Sequence, residues 1–262
     1  MIGAQKSGTT SLRRYLSQNP AVLCAEPKEI HYFDKEYARG DSWYRAQFPW
    51  RTQARAVRRR LGVDPAIGEA TPEYLFNPRV PARVHAFDPD LRRFVVVLRD
   101  PIDRAYSQYN MQVRRRGETR TFEEVLALEE TELPGVFERM RAEPTYVPVI
   151  ELRRSYVARG RYAEQLERWF NYFDRDRFLV LTAADLSDDT VGTVARVTAF
   201  LGVPEWHLDE YPRLSAGSYE PMARETREHL ACVFEPHNRK LEELLGRTLD
   251  WTRPTTAPAQ PV

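Results

Sequence analysis

The segment Gly3–Ser11 (GAQKSGTTS) has the composition of an anion-binding loop. Its glycines allow a tight turn, and a helix is predicted to begin at about Gly8 and to end near Ser17. The free backbone N–H groups and the dipole of a helix N-terminus favour an anion. The loop also supplies a lysine ammonium and several hydroxyl groups. We therefore predict that a phosphate or sulfate group is bound by Lys6, Ser7, Gly8, Thr9, Thr10 and Ser11.

The order of residues in this loop differs from that of a triphosphate-binding loop. The usual order is glycine, four residues, and then Gly-Lys-Ser/Thr. Here Thr9 follows Gly8, and the lysine stands two residues before that glycine. A loop that holds fewer phosphates, with its lysine brought forward, suits a 5′-phosphosulfate. Taken alone, the segment is equally compatible with a turn that merely caps a helix.

A second anion-binding position is predicted at the end of the apolar run Phe94–Leu98 (FVVVL). A continuous β-branched run is typical of a parallel strand that is buried on both faces. Ligands of open α/β sheets bind beyond the carboxyl ends of the strands. Arg99 is placed there to form a bidentate contact with a phosphate, and Ser107 follows two turns into the next helix. A salt bridge from Arg99 to Asp100 or Asp103 is the alternative.

Strands and helices are predicted to alternate along the whole chain. Short strands are expected at Ile67–Ala70 and Phe178–Thr182, and helices after Pro101, at 162–173, at 189–201 and within 221–245. This alternation, without a repeat or a linker, predicts an α/β fold with a three-layer arrangement around a parallel sheet and a P-loop-like phosphate-binding loop. We expect one domain over 1–251 and a disordered Pro- and Thr-rich tail over 252–262.

Composition excludes several classes of protein. The net charge is +1, from 39 basic and 38 acidic residues, so non-specific binding to nucleic acid is not expected. The basic runs 51–60 and 114–116 are interpreted as solvated helix faces. Cys24 and Cys232 form neither a metal-ligand spacing nor a disulfide framework. No membrane span, signal peptide or heptad run is visible, so a cytoplasmic setting is expected and no oligomeric state is indicated.

Four segments in order resemble the Golgi heparan-sulfate sulfotransferases and their bacterial relatives. They are KSGTTSL at Lys6–Leu12, KEIHYFD at Lys28–Asp34, GEATPEYLF at Gly68–Phe76 and LRDPIDRAYSQY at Leu98–Tyr109, and the end of the chain, Pro236–Trp251, is similar too. The resemblance implies transfer of a sulfuryl group from 3′-phosphoadenosine-5′-phosphosulfate (PAPS) to a hydroxyl or amine of a glycan or small-molecule acceptor. PAP would be the product, and no metal would be needed.

The resemblance also implies roles for individual residues. The loop Lys6–Ser11 would surround the 5′-phosphosulfate, while Arg99 and Ser107 would bind the 3′-phosphate. Glu29 falls on the proposed catalytic base, which would take the acceptor proton as the hydroxyl attacks sulfur, and Lys6 would stabilise the leaving group. The remaining assignments are a catalytic or substrate contact by His31, an acceptor cleft lined by Asp34, Glu69 and Tyr74, and cofactor contacts from Ser218 and Tyr219.

The sequence departs from the family in three places. Ala70 replaces the lysine that precedes Thr-Pro in the animal enzymes, and no Lys-Gly-Arg loop occurs near residues 216–219. Ile2 follows Met1 directly, so the first strand is shorter than the usual length of about five residues. We therefore expect that a neighbouring strand is left unpaired. We also expect that further residues lie upstream of Met1.

Two other functions stay open at this point. A small-molecule or nucleoside kinase would use the phosphate loop with Asp100 as a magnesium ligand, although the position of the lysine opposes it. A non-catalytic nucleotide-binding module is the other alternative. The charged, Pro-containing segment 117–150 is interpreted as a mobile lid over the acceptor.

Overall fold

The structure is a computed structural model that describes residues 1–212, 214, 219–249 and 251. Its strands form two parallel pairs. Strand β1 (Val22–Cys24) pairs with β2 (Ala66–Gly68), and β3 (Phe94–Leu98) pairs with β4 (Phe178–Thr182) in the register Val96 to Val180. The predicted bounds of β3 and β4 are confirmed, and β2 begins one residue before its predicted start.

The segment 1–4 lies between the two strand pairs. On one side, the N–H groups of Ile2 and Ala4 donate to the carbonyl oxygens of Val95 and Val97 at 3.0 and 2.7 Å. On the other side, the α-amino group of Met1 donates to the Glu69 carbonyl at 2.7 Å. The expectation that β3 would lack a neighbour is therefore wrong, because four residues suffice to pair with it and to anchor the phosphate loop that follows.

Eleven α-helices connect and cover these strands within the described residues. They are α1 (Thr9–Leu16), α2 (Asp41–Arg45), α3 (Arg51–Leu61), α4 (Val80–Phe87), α5 (Pro101–Arg116), α6 (Phe122–Ala142), α7 (Val149–Arg153), α8 (Tyr162–Phe170), α9 (Ala183–Asp188), α10 (Thr190–Leu201) and α11 (Arg224–Leu245). In this part of the chain no helix is both long enough and apolar enough to cross a membrane.

Strand β3 is buried on both faces, which makes the fold three-layered. Val95 and Val97 belong to the apolar cluster that contains α1 and α10 residues such as Leu12 and Val197. Phe94, Val96 and Leu98 belong to the opposite cluster, where the Trp169 ring of α8 lies 5.2 Å from that of Phe94. Alternate side chains of a strand point to opposite faces, so the continuous apolar run serves two cores. The predicted α/β class is confirmed.

The segment 117–150 forms ordered secondary structure instead of the lid that we expected. Most of it is helix α6, whose side chains Phe122, Val125, Leu133, Val136 and Met140 are buried. A capping box at Thr121 and Glu124 begins the helix. Apolar residues spaced at a helical period within the charged sequence explain the difference, because they give the helix one face that packs on the domain. The predicted tail, 252–262, lies outside the described residues.

Candidate active site

A cleft of about 830 Å³ opens where the sheet segments end. Gln5 and Lys6 follow the segment 1–4, Pro27 and Lys28 follow β1, and Arg99 follows β3. The position agrees with the rule that ligands of parallel sheets lie beyond the carboxyl ends of the strands. The lining includes the predicted residues Lys6, Ser7, Gly8, Thr9, Thr10, Ser11, Glu29, His31, Arg99 and Ser107.

The phosphate loop presents an uncapped helix N-terminus to this cleft. Gly8 adopts φ 91° immediately before α1, a conformation that glycine reaches without steric cost. Within the described residues no side chain caps α1, whereas the carboxylate of Asp100 caps α5 by accepting from the Ile102 N–H at 2.8 Å. The first turn of α1 therefore offers its N–H groups to a ligand. Asp100 serves α5 instead and is not among the described lining residues.

Lys6 lies in a strongly cationic part of the cleft. Burial, followed by the nearby charges of Arg114, Arg115, Arg99 and Lys28, lowers the pKa of Lys6 to about 8. Arg115 and Arg116 are exposed, as the interpretation of this run as a solvated face requires, and they also line the cleft. The excess of positive charge favours an anionic ligand, whose binding would restore the ordinary pKa of the lysine.

Arg99 and Ser107 stand where a second phosphate group would be held. The guanidinium of Arg99 donates to the Lys6 carbonyl at 3.4 Å, and the Arg99 carbonyl accepts from the Tyr162 hydroxyl at 2.9 Å. Ser107 is 6% exposed on the face of α5 that turns toward the cleft. The uncapped N-terminus, Lys6, Arg99 and these hydroxyl groups form a donor set suited to a nucleotide with two anionic groups.

Across the cleft, His31 links two carboxylates. Its Nε2 lies 3.4 Å from a Glu29 oxygen, and its Nδ1 lies 3.0 Å from an oxygen of Asp34. Burial alone would lower the pKa of His31, but the bonds to Asp34 and Glu29 outweigh it and raise that pKa to about 9. The imidazole is therefore protonated at neutral pH, and it orients Glu29 toward the cleft.

Glu29 is held in its ionised form. Burial opposes the charged carboxylate, but the hydrogen bond from His31 and the charge of Lys28 lower the pKa of Glu29 below its ordinary value. With 31% of its side chain exposed, the carboxylate can reach a bound hydroxyl and accept its proton.

Two residues of the cleft, Lys6 and His31, have a strained backbone conformation. In the part of the chain that the structure describes, Lys6 (φ 71°) and His31 (φ 56°) are the non-glycine residues with positive φ. Such conformations cost about 1–3 kcal/mol each and occur preferentially at functional sites. One strained residue stands on each side of the cleft, which indicates that the directions of these two side chains matter for function.

Glu29, His31 and Glu73 each place one potential metal-ligand atom within 4.8 Å of the others. The Lys28 ammonium lies 3.6 Å from Glu29, and that of Lys35 lies 3.0 Å from Nδ1 of His31. Two ammonium groups so close to the ligand atoms oppose the binding of a further cation.

Three residues assigned to the acceptor lie behind the cleft lining. Glu69 accepts hydrogen bonds from the hydroxyls of Tyr44 and Tyr74 at 2.8 and 3.0 Å, and Tyr74 is 2% exposed. Burial, and then the charge of Glu69, raise the pKa of both tyrosines well above the ordinary range. Asp34 has 3% of its side chain exposed and contacts His31. None of the three is among the described lining residues of the cleft.

The two cofactor contacts assigned near the C-terminus have different outcomes. The Tyr219 ring packs edge-on against Tyr106, with 5.4 Å between their centroids, and it is not among the described lining residues. Ser218 lies outside the described residues.

Several lining residues were not predicted, among them Lys28, Lys35, Glu73, Arg39 and Arg153. Lys28 and Lys35 flank the predicted Glu29–Asp34 segment. Their proximity to it in the sequence could have predicted that they line the cleft. Glu73 follows Thr71-Pro72, where the turn Pro72–Tyr74 places it in the cleft, while its neighbour Tyr74 points into the core.

A family model for the sulfotransferase domain matches residues 1–216. Heparan sulfate glucosamine 3-O-sulfotransferase 3B1 of Mus musculus is 29% identical over 275 residues, covering 96% of this chain and 64% of its own length. Heparan sulfate glucosamine 3-O-sulfotransferase 6 of Homo sapiens is 29% identical over 262 residues, covering 97% and 68%. The chain thus spans just under two thirds of the first relative. A solved sulfotransferase from Alicyclobacillus acidocaldarius is similar to this chain with a TM-score of 0.75 and 32% sequence identity. The match covers 97% of this chain and 97% of that one.

Proposed function

The chain belongs to the sulfotransferase domain family, and from this premise we propose that it transfers a sulfuryl group from PAPS to a hydroxyl or amine of a glycan or small-molecule acceptor. One observation carries the proposal. The cationic loop around Lys6 and the carboxylate of Glu29 face each other across a single cleft. A donor that carries two anionic groups and an acceptor that must lose a proton therefore have complementary places in the same site.

In the donor half, the N-terminus of α1 and the residues Lys6–Ser11 would hold the 5′-phosphosulfate. Arg99 and Ser107 would hold the 3′-phosphate, the group that distinguishes PAPS from ordinary nucleotides. When bound, PAPS supplies an activated sulfuryl group on its 5′-phosphate. Preorganised cationic donors next to the leaving oxygen are the arrangement that stabilises charge that develops there.

In the acceptor half, Glu29 would accept the proton of the attacking hydroxyl. The new bond from the acceptor oxygen to sulfur forms as the bond from sulfur to the bridging oxygen breaks, and its electron pair stays on the PAP phosphate beside Lys6. His31, protonated and held by Asp34, would keep the Glu29 carboxylate ionised and oriented. Such in-line transfer depends on positioning and electrostatics, and no step assigned to these residues requires a metal.

A hydroxyl acceptor is favoured over an amine. The relatives are named as 3-O-sulfotransferases of heparan sulfate glucosamine, and an ionised carboxylate is suited to removing a hydroxyl proton during attack. Ala70 stands where the animal enzymes have a lysine, and it is 5% exposed next to the half-buried Glu69. The acceptor therefore differs in detail from theirs, and a panel of glycans and small hydroxyl compounds with labelled PAPS would identify it.

Titration of PAP in the presence of EDTA tests the donor assignment. We expect micromolar binding by the wild type and about 30-fold weaker binding by Arg99→Ala, a loss of roughly 2 kcal/mol for one charged hydrogen-bonded contact. Isothermal calorimetry measures both affinities. Arg92→Ala is the matched control, because Arg92 is exposed just before β3, and it should bind PAP as the wild type does.

Two results would contradict the donor assignment. A folded wild type that bound no PAP would remove the sulfotransferase proposal, and saturable binding of ATP that required magnesium would favour the kinase instead. Tight PAP binding together with no transfer to any compound of the acceptor panel would favour a non-catalytic nucleotide-binding module.

The affinity for PAP should also fall with rising pH. Because the pKa of Lys6 is about 8 in the free protein and a bound phosphate raises it, binding is strongest below pH 8 and weakens above it. The expected loss between pH 7 and pH 9 is about tenfold, since each pH unit above the free pKa costs up to a factor of 10. Calorimetric titration across this range measures the change. Lys6→Met should bind weakly with a flat profile, and a wild type whose affinity did not change would contradict the assignment.

A further inference from the structure

The chain uses arginine for nearly all of its positive charges, and its few lysines cluster at the cleft. It contains 35 arginines and only four lysines. Lys6, Lys28 and Lys35 line the cleft, while Lys240 forms an ion pair with Glu167 at 2.6 Å on the surface. Arginine and lysine are interchangeable at most exposed positions but not where a compact ammonium group is required. The three lysines at the cleft are therefore candidates for positions that use such a group.

Lys28 stands at the boundary between the donor and acceptor halves. Its Nζ donates to the Thr10 hydroxyl of the phosphate loop at 2.9 Å and lies 3.6 Å from an oxygen of Glu29. The sulfuryl group must cross between the loop and the carboxylate during transfer, so it passes close to this ammonium. About half of the side chain, 49%, is exposed, so the group can move toward a ligand without disrupting a buried ion pair.

We propose that Lys28 is a catalytic residue whose compact ammonium group contacts the non-bridging oxygens of the sulfuryl group during its transfer. The proposal rests on the proposed function. In the transfer, the acceptor oxygen forms its bond to sulfur while the bond to the bridging oxygen breaks, the proton passes to Glu29, and the electron pair remains on the PAP phosphate. Lys6 serves that leaving oxygen, whereas Lys28 serves the three oxygens that travel with sulfur. A planar guanidinium spreads its charge over a rigid fork and would not present it as this compact ammonium does between Thr10 and Glu29.

A comparison of PAP with PAPS isolates this contact, because PAPS carries the sulfuryl group and PAP does not. In Lys28→Ala we expect the Kd of PAP to stay within about twofold of the wild-type value and the Kd of PAPS to rise about tenfold. With an acceptor from the panel, kcat should fall about 100-fold, the loss typical of one oxyanion-stabilising donor. Competition binding at short times measures both affinities before the donor is hydrolysed.

Two further variants separate a direct contact from a general electrostatic effect. Lys28→Arg keeps the charge, yet it should remain at least about tenfold slower than the wild type, because a planar guanidinium does not present its charge as a compact ammonium does. Lys240→Ala removes a lysine from the surface and should change neither affinity nor kcat.

Three results would overturn the role of Lys28. They are an equal loss of PAP and PAPS affinity in Lys28→Ala, no change in either affinity or in kcat, and full activity of Lys28→Arg. A wild type that bound neither PAP nor PAPS would overturn the proposed function, and the role of Lys28 with it. That failure is distinguishable because it is seen before any variant is made.

Discussion

Replacing Glu29 with glutamine is expected to lower kcat about 1000-fold, because the acceptor hydroxyl would lose its general base. Glutamine has the shape of glutamate but cannot accept a proton at neutral pH. Glu29 stands on the acceptor side of the cleft, so the affinity for PAP should remain within about threefold. Transfer of the label from PAPS to an acceptor from the panel measures kcat, and calorimetric titration measures the affinity for PAP. Together they separate the loss of catalysis from any loss of binding.

The control for this substitution is Glu26→Gln, which makes the same change at an exposed glutamate three residues earlier and should retain wild-type activity. The wild-type enzyme should keep its base ionised to a lower pH than an ordinary glutamate would allow, because the bond from His31 and the charge of Lys28 lower the pKa of Glu29 despite its burial. A Glu29→Gln variant with kcat within fivefold of the wild type would contradict the role of the carboxylate as base.

Replacing Glu129 with alanine is expected to destabilise the domain by about 4 kcal/mol. This α6 carboxylate is 7% exposed and accepts the backbone N–H groups of Tyr156, Val157 and Ala158 at 2.6, 2.8 and 2.8 Å. Without it, the buried N–H of Tyr156 and the partly buried N–H groups of Val157 and Ala158 would lose this partner, and each unpaired donor costs roughly 1–3 kcal/mol before the surroundings relax. The loss of unfolding free energy is measured from the denaturant concentration at the midpoint of unfolding, with the slope of free energy against denaturant equal in the two proteins.

Glu130→Ala is the matched control for this prediction, since it removes the next carboxylate of the same helix at an exposed position. It should change stability by less than about 0.5 kcal/mol. If Glu129→Ala were as stable as Glu130→Ala, this carboxylate would not contribute to holding α6 on the domain, and the interpretation of 117–150 as a mobile lid would regain support.

Local patterns were sufficient to predict which residues line the cleft around Lys6. The bounds of β3 and β4 follow from continuous apolar runs, and the phosphate loop follows from glycines before a helix start. Arg99 is placed by its position directly after β3, because the last residue of a parallel strand must lie at the ligand-binding edge of the sheet. In each case the residues that determine the structure are neighbours in the sequence.

The acceptor half depended on contacts between distant residues. Glu69 and Tyr74 were expected in the cleft, but the half-buried Glu69 accepts hydrogen bonds from the buried Tyr44 and Tyr74 instead. Lys28 lines the cleft and contacts Thr10, eighteen residues earlier in the chain. Residue type alone does not distinguish these outcomes, because a polar side chain in an irregular segment can face either solvent or a buried partner.

The sequence by itself therefore determined the fold class, the phosphate loop and the family, because periodicity and turn chemistry act over a few residues. Only the tertiary structure decided which polar side chains face the acceptor and that 122–142 packs as a helix. Those outcomes depend on the burial of side chains against partners far along the chain, as when Glu129 meets the backbone of 156–158. The free energy of burying a polar group depends on whether such a partner is present.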